Sequence, residues 1–157
     1  MIIKEDIGDM GVIVRIKRLN ENAIIPSRAS EDSAGYDIYA CLPDDGEVKI
    51  EPGKAFRVPT GVAMEIPRGT FGGLFARSGI STKRGLRPAN CVGVVDPDYR
   101  GEVQVPLYND SNVIRTIKNG DRIAQLLLIP AFEIDFEEVG ELSETDRSLG
   151  GFGSTGL

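Results

Sequence analysis

Glycine and proline interrupt this sequence so often that long helices are excluded, which limits the fold more than any other feature. The chain has 19 glycines and nine prolines among its 157 residues. Both residues disfavour helix interiors, and helical periodicity does not persist for more than a turn or two. A short helix after Ser78, with this serine as its N-cap, is the one helix that the pattern predicts.

Short apolar stretches separated by turn residues predict a set of β-strands. In residues 12–19 apolar and basic side chains alternate, which is typical of a half-buried strand. Comparable stretches occupy residues 33–40, 47–53, 55–69, 70–76, 91–95, 102–109 and 122–139. Many short strands bounded by turn signals indicate an all-β fold, here a jelly-roll-like β-barrel.

The length of the chain indicates a single domain with its own hydrophobic core. We expect a β-barrel core in residues 1–140 and a mobile, glycine-rich C-terminal arm in residues 141–157, where the apolar pattern fades. No apolar run approaches the roughly 18 residues of a membrane-spanning helix. The acidic N-terminal residues do not resemble a signal peptide. We therefore expect a cytoplasmic protein that does not bind membranes.

The absence of histidine excludes several kinds of catalytic site. The sequence has no histidine and only two cysteines, Cys41 and Cys91, which lie far apart. Ser-His-Asp and Cys-His systems and zinc sites with imidazole or thiolate ligands are therefore excluded. Acid–base chemistry is left to carboxylates, lysine or tyrosine, and a bound metal would be an oxygen-ligated ion such as Mg²⁺. The two cysteines could pair, but two reduced, partly buried thiols are expected in a cytosolic protein.

Charge is unevenly distributed along the chain. The net charge of −6 argues against nucleic acid as a partner. Residues 66–95 nevertheless contain no acidic residue and five basic ones, which are Arg68, Arg77, Lys83, Arg84 and Arg87. A basic region in an acidic protein favours a small, highly charged anion as ligand, and a solvated basic loop is the alternative.

The first stretch that could carry chemistry is ARSGISTKRG, residues 76–85. The guanidinium of Arg77 can bind phosphate oxygens in bidentate fashion. The hydroxyl of Ser78 can donate to the same oxygens, and Gly79 lets the backbone approach a ligand closely. An Arg-Ser-Gly tripeptide is common, so by itself it is weak support for a phosphate site.

The second stretch is NCVGVVDPDYRGEVQVPLYN, residues 90–109, in which two strands flank the loop DPDYRG. A hairpin exposes alternate N–H and C=O groups that can read the polar edge of a base. Asp96, at the end of the first strand, could polarise a water molecule. The alternative is that Asp96 and Asp98 serve only as turn residues.

The third stretch is SAGYDIYA, residues 33–40, which places Asp37 in an otherwise apolar and aromatic strand. An inward-facing carboxylate needs a partner, because burying an unpaired charge is unfavourable. Mg²⁺, bound directly or through water, and a salt bridge to an arginine are both compatible with this pattern.

Together with two later stretches, these motifs resemble those of the trimeric dUTP pyrophosphatases (dUTPases) over nearly the whole chain. The five family motifs occur in order as AGYDIYA, ARSGISTKRG, NCVGVVDPDYRGEVQVPLYN, GDRIAQLLL and RSLGGFGSTG, with Ser148 where the family usually has glycine. The resemblance implies a homotrimer with shared active sites that hydrolyses dUTP to dUMP and pyrophosphate with Mg²⁺. This activity would limit uracil in DNA and supply dUMP for dTMP synthesis.

The resemblance also implies a role for each matching residue. Asp96 would activate the water that attacks the α-phosphorus, Arg77 and Gln125 would act at the phosphates, and Asp37 would reach the metal through water. Substrate contacts are implied for Ser78 and Gly79 at the phosphates, for Asn90, Val94, Val95 and Gln104 at the uracil, and for Tyr99 under the deoxyribose.

The glycine-rich C-terminal arm is expected to fold over a nucleotide bound at a neighbouring subunit. Phe152 would stack on the uracil ring, and closure would exclude bulk water from the site. The arm residues implied in substrate binding are Arg147, Phe152, Gly153, Ser154 and Thr155.

Two rival functions are disfavoured by particular residues. The dCTP deaminases resemble the dUTPases, but they place a catalytic glutamate where this chain has Pro106, which cannot shuttle protons. A non-catalytic nucleotide-binding protein would be expected to lack Asp96 or the arm motif, and this sequence has both.

Overall fold

The computed structural model describes residues 11–146 and Ser148. The strands are β1 (Arg15–Arg18), β2 (Ser27–Arg28), β3 (Tyr36–Tyr39), β4 (Glu47–Ile50), β5 (Ala55–Pro59), β6 (Val62–Glu65), β7 (Thr70–Phe75), β8 (Leu86–Pro88), β9 (Gly93–Val95), β10 (Gln104–Asn109), β11 (Arg115–Lys118) and β12 (Arg122–Pro130). A 3₁₀ helix (Pro43–Asp45) and the α-helix α1 (Ser78–Arg84) complete the elements of this part of the chain.

The strands are distributed over four antiparallel sheets. The largest has the order β2-β3-β12-β7-β9, and a second has the order β5-β10-β8. The other two sheets are the pairs β1-β6 and β4-β11. The predicted all-β, jelly-roll-like fold is confirmed, with strands in several sheets rather than in one closed barrel.

One hydrophobic core lies between the sheets. Its fully buried side chains are mostly aliphatic and come from every sheet; they include Ile38, Ile50, Val58, Val62, Leu86, Val105, Leu107, Ile117 and Ile123. Each such side chain contributes about 1.5–3 kcal/mol when it is removed from water. The core therefore holds the strand ends and loops that carry the candidate site residues.

Several strands differ in extent from the sequence-based prediction. β1 begins at Arg15 instead of residue 12, and Val12 is 64% exposed. β12 ends at Pro130, so residues 131–139 are not a strand; they are exposed and have no regular secondary structure. β2, β8 and β11, which have two to four residues each, were not predicted.

The predicted helix is present, but its N-cap is Arg77 and not Ser78. Arg77 has extended backbone angles, and its carbonyl accepts the N–H groups of Ile80 and Ser81. Ser78 is already helical, so its hydroxyl cannot cap the helix from that position. Gly85 ends the helix with φ of +62°, where a side chain would be strained.

The two cysteines are free thiols with different environments. Cys41 is buried and Cys91 is exposed. The absence of a link between them agrees with the prediction, whereas the expectation that both are partly buried is wrong. Within residues 11–146, no helix has the length and apolar character needed to cross a bilayer.

Candidate active site

The hairpin formed by β9, the following loop and β10 borders a small pocket. Its volume is about 220 Å³, and it is lined by Leu74, Asn90, Gly93, Val94, Val95, Asp96, Tyr99, Glu102, Val103, Gln104 and Pro106. The hairpin residues that were predicted to contact base or sugar are all among them; Phe152, which was predicted to stack on the uracil, lies outside the described residues. Ligand pockets for larger molecules have about 300–1,000 Å³, so this one suits a ring the size of a pyrimidine and leaves a longer ligand to extend outside.

Asp96 lies at the mouth of this pocket with an exposed side chain. It also lines a second, wider and more polar pocket of about 1,040 Å³ that contains Arg68 and Arg100. Its backbone carbonyl accepts the N–H of Tyr99 and closes the turn. Among the described residues no donor binds its carboxylate, so the side chain is not used to hold the turn and is available to a water molecule or ligand.

Tyr99 is held against the loop by its hydroxyl group. The hydroxyl donates to the backbone carbonyl of Glu102 at 2.9 Å, while the ring remains 46% exposed. A Cβ on Gly101 would clash with the Tyr99 hydroxyl, so a larger residue there would displace the ring. The ring thus forms a fixed wall of the pocket.

A second cluster surrounds Asp37 on β3. The Asp37 side chain is only 8% exposed, and Arg77 Nε donates to its Oδ1 at 2.6 Å. Arg122 Nη1 donates to Oδ2 at 3.2 Å. The salt bridge that the sequence left as one of two explanations is therefore present, with two arginines instead of one.

A β-bulge brings Arg122 to this cluster. Gln125 pairs with Asp37, and the register shifts between Arg122 and Ala124. In a regular strand, residues three apart point to opposite faces, whereas the bulge adds a residue and turns Arg122 toward Asp37. Arg122 was missed for this reason, although it stands in the GDRIAQLLL motif.

Gln125 and the start of α1 complete the cluster. Gln125 Nε2 donates to the carbonyl of Ala76, the residue before Arg77. Ser78 and Gly79 begin α1, and backbone N–H groups in a first helical turn have no acceptor within the helix. A Cβ on Gly79 would meet no atom of the described chain within 4 Å, so packing does not require this glycine.

The two parts of the site are separated within one chain. In the sheet order β3-β12-β7-β9, Asp37 is three strand spacings from the hairpin, or about 14 Å. Val95, just before Asp96, pairs with Gly72, whereas Arg77 lies beyond Phe75, and these two positions on β7 are about 10 Å apart. The pocket and the Asp37 cluster therefore lie at different corners of the sheet.

Comparison with known proteins decides the family. A family model described as dUTPase matches residues 21–156. The chain belongs to the dUTPase family. It is 46% identical over 134 residues to the deoxyuridine 5'-triphosphate nucleotidohydrolase of Desulfitobacterium hafniense, covering 85% of this chain and 87% of that protein. With the protein of the same name from Syntrophotalea carbinolica the identity is 43% over 146 residues, covering 93% and 98%.

Solved structures of the family share the fold. A mutant dUTPase of Staphylococcus bacteriophage 80alpha, solved with dUpNHpp, superposes with a TM-score of 0.83 at 29% identity, covering 92% of this chain and 99% of that one. The dUTPase of phage phi11 of S. aureus superposes with a TM-score of 0.75 at 27% identity, covering 85% of this chain and 100% of that one. The resemblance drawn from the five motifs is therefore confirmed at the level of family and fold.

The contacts of the Asp37 carboxylate limit how this residue could bind the predicted Mg²⁺. Both carboxylate oxygens are engaged by arginine, and among the described residues no three acidic or cysteine side chains are grouped as metal ligands. The described residues around Asp37 do not fit a metal that is held directly by protein. They are compatible with an ion that takes its oxygen ligands from phosphate and water.

The arm residues predicted to contact substrate lie outside the described residues; they are Arg147, Phe152, Gly153, Ser154 and Thr155. Ser148 is described, with φ of +41° and its N–H directed to Thr145. This left-handed conformation favours glycine, the residue that the family usually has here.

Besides Arg122, a second residue that the motifs did not single out is Glu102, which lines the base-sized pocket.

Proposed function

We propose that this protein is a dUTP diphosphatase, which hydrolyses dUTP to dUMP and pyrophosphate in the cytoplasm. The observation that carries the proposal is the hairpin pocket, which has the size of a pyrimidine. At its mouth lies the Asp96 carboxylate, which no described residue engages. Membership of the dUTPase family supports the same substrate. So does the name of the relatives, which describes a hydrolase of deoxyuridine triphosphate.

In this proposal the pocket reads uracil and the sugar. Asn90 and the backbone at Val94, Val95 and Gln104 bind the polar edge of the base. Each buried polar group that cytosine leaves unpaired would cost roughly 1–3 kcal/mol. The Tyr99 ring packs beneath the deoxyribose and leaves no space for a 2′-hydroxyl, which excludes ribonucleotides.

Asp96 is the proposed general base. Its carboxylate orients a water molecule and accepts its proton as the water oxygen attacks the α-phosphorus. The bond from that phosphorus to the bridging oxygen breaks, and pyrophosphate leaves. A positioned base commonly contributes about 10²–10⁴ in rate. The Asp96 side chain is exposed and has no partner within the described part of the chain, which supports this role.

Arg77, Ser78, Gly79 and Gln125 are proposed to bind the phosphates. Asp37 engages Arg77 through Nε, which orients the guanidinium and leaves its terminal nitrogens for bidentate contact with phosphate oxygens. Gln125 donates to the Ala76 carbonyl and thereby fixes the backbone just before Arg77. Fixed positive charge at the phosphates stabilises the charge that develops on the leaving group.

Mg²⁺ enters the proposal as part of the substrate, the Mg–dUTP complex. The ion would neutralise phosphate charge and is bound by the triphosphate and water. Because both Asp37 oxygens already accept from arginines, Asp37 would contact the ion through a water molecule. Arg77 and the first turn of α1 do the positioning on the protein side.

We propose a homotrimer on the family resemblance, and two features support active sites that are shared between copies. The separation of Arg77 from Asp96 within one chain favours a site built by two copies. Segment 131–137 also presents Phe132, Ile134 and Phe136 to solvent, at 83%, 64% and 92% exposure. Acidic residues alternate with them, so the segment has the pattern of a half-buried strand that lacks a partner.

The same chain offers a surface that could receive such a strand. An apolar groove of about 420 Å³ is lined by Val12, Val14, Ile16, Ile25, Pro26, Tyr36, Met64, Leu126 and Leu128. Apolar patches of this kind commonly mark interaction sites. We propose that segment 131–137 of one copy packs on a neighbouring copy, which also carries the C-terminal arm toward that copy's site.

The test is pyrophosphate release from dUTP, UTP, dTTP and dCTP, each with and without Mg²⁺. We expect rapid release from dUTP with Mg²⁺ and weak release from the other three. Equal rates with UTP would contradict the role of Tyr99, and ammonia release from dCTP would indicate a deaminase. Deleting residues 147–157 should greatly reduce turnover while leaving the oligomer folded; turnover at the full rate would contradict the proposed arm.

A further inference from the structure

We propose that Glu102 is a positioning residue of the pocket, which sets the preference for uracil by fixing the side-chain amide of Gln104. The inference rests on the proposed function, because it assigns the base specificity of that same site. Glu102 would act through Gln104 and would not contact the reacting atoms itself.

Both oxygens of the Glu102 carboxylate are used. Oε1 accepts the backbone N–H of Gly61 at 2.8 Å. Oε2 accepts Nε2 of Gln104 at 3.1 Å. The carboxylate therefore joins the turn between β5 and β6 to the first residue of β10, and it lines the pocket while it does so.

The turn on which Glu102 is anchored is itself rigid. Gly61 has φ of +67°, and a Cβ there would lie 2.8 Å from both Ala23 Cβ and Cys41 Sγ. The Thr60 hydroxyl donates to the carbonyl of Val103, and the N–H of Val103 donates to Val62 at 2.8 Å. Residues 102 and 103 are thus fixed to the core.

The chemistry of a carboxylate selects one orientation of the Gln104 amide. An ionised carboxylate only accepts hydrogen bonds, so it holds the NH₂ group of Gln104 toward itself. The NH₂ side of the amide, including its second N–H, is then turned toward Glu102, and the opposite side presents the carbonyl Oε1, an acceptor, to another partner. An acceptor suits the N3–H of uracil, whereas N3 of cytosine carries a lone pair and would be repelled.

Tyr99 is tied to the same residue. Its hydroxyl donates to the backbone carbonyl of Glu102 at 2.9 Å. A change of the side chain that leaves the backbone in place should therefore alter base preference more than sugar preference. This separation gives a readout that a merely structural role would not move.

The decisive variant is Glu102→Gln, measured in the full-length protein by calorimetric binding of dUMP and dCMP. The carbonyl of the introduced amide can still accept from Gly61, but its NH₂ group forces the Gln104 amide to reverse and present a donor. We expect affinity for dUMP to fall about tenfold, the usual effect of one lost hydrogen bond. Affinity for dCMP should change less, and the preference between dUMP and UMP should stay the same.

Three further variants complete the test. Glu51→Gln removes the same charge from an exposed site and should change none of these values. Gln104→Leu should lower the dUMP preference, and adding Glu102→Gln to it should have little further effect, because coupled residues are not additive. Glu102→Ala should in addition lower the melting temperature, since the N–H of Gly61 loses its acceptor.

A ratio of dUMP to dCMP affinity that stays within about twofold of wild type in a folded Glu102→Gln protein would overturn the inference. So would a wild-type protein that does not prefer dUMP. The proposed function is judged separately by pyrophosphate release, because a protein that binds dUMP selectively but does not hydrolyse dUTP would contradict hydrolysis and leave the role of Glu102 standing.

Discussion

At the scale of single residues, a substitution of Asp96 distinguishes a catalytic role from a structural one. Its carboxylate has no protein partner among the described residues, so an amide in its place should leave the loop intact. We expect Asp96→Asn to lower kcat for dUTP by about 10²–10⁴, because the water loses its general base, with KM nearly unchanged. Steady-state kinetics measure both. An equal loss of nucleotide binding would indicate that Asp96 shapes the pocket instead.

Cys41 should make the free energy of unfolding decrease as the pH becomes alkaline. Burial raises the pKa of the Cys41 thiol, and the negative charge of Glu102 raises it further. Above the ordinary thiol pKa of about 8.5, the unfolded chain loses this proton while the folded chain keeps it. The folded state then binds more protons, so the contribution to stability is complete at lower pH and is lost as pH rises through the raised pKa.

The measurement is denaturant unfolding at pH 8 and pH 10. We expect wild type to lose stability over this interval, and Cys41→Ala to lose less, although its baseline should be lower because a small cavity remains. Identical pH dependence of the two proteins would show that other groups account for the alkaline loss.

The residues that line the site were easier to predict than the directions in which their side chains point. Asn90, Asp96, Tyr99 and Gln104 were selected from one motif, and they do line one pocket. Arg122 was missed because its direction depends on a bulge that alternation cannot reveal. Glu102 was missed because its partner Gly61 lies 41 positions away.

At the scale of elements, proline and glycine turns were predicted well, whereas strand ends were not. The apolar pattern continues to residue 139, yet β12 ends at Pro130. Alternation records which side chains prefer to be buried, but not which copy of the chain buries them. The residues beyond Pro130 would therefore form the predicted strand only where a neighbouring copy pairs with them.

This interpretation of segment 131–137 can be tested with Ile134→Asp and Phe136→Asp. A charge on the apolar face should weaken packing on a neighbouring copy, because an unpaired buried charge is strongly unfavourable. We expect the mass measured by light scattering to shift from trimer toward monomer. The control is Asp135→Ala on the alternate face, which should stay trimeric. An unchanged mass in both of the charged variants would contradict the proposed packing.

At the scale of the whole molecule, the sheet order decides how the site is assembled. The order β2-β3-β12-β7-β9 joins strands that are distant along the chain, so local patterns could indicate the class of fold but not this arrangement. The arrangement keeps Asp96 and Arg77 apart within one chain. In the proposed mechanism, the hairpin of one copy must therefore act on a phosphate held by Arg77 of another.

Mixing two inactive variants tests this requirement most directly. Asp96→Asn lacks the base and Arg77→Gln lacks the phosphate contact, while each keeps the part that the other has lost. Refolded together in equal amounts, they should form some sites with both parts intact. For random assembly in a closed ring about a quarter of the sites would be complete, so pyrophosphate release from dUTP should recover to about that fraction of wild type. Release no greater than the sum of the two separate variants would contradict the shared site.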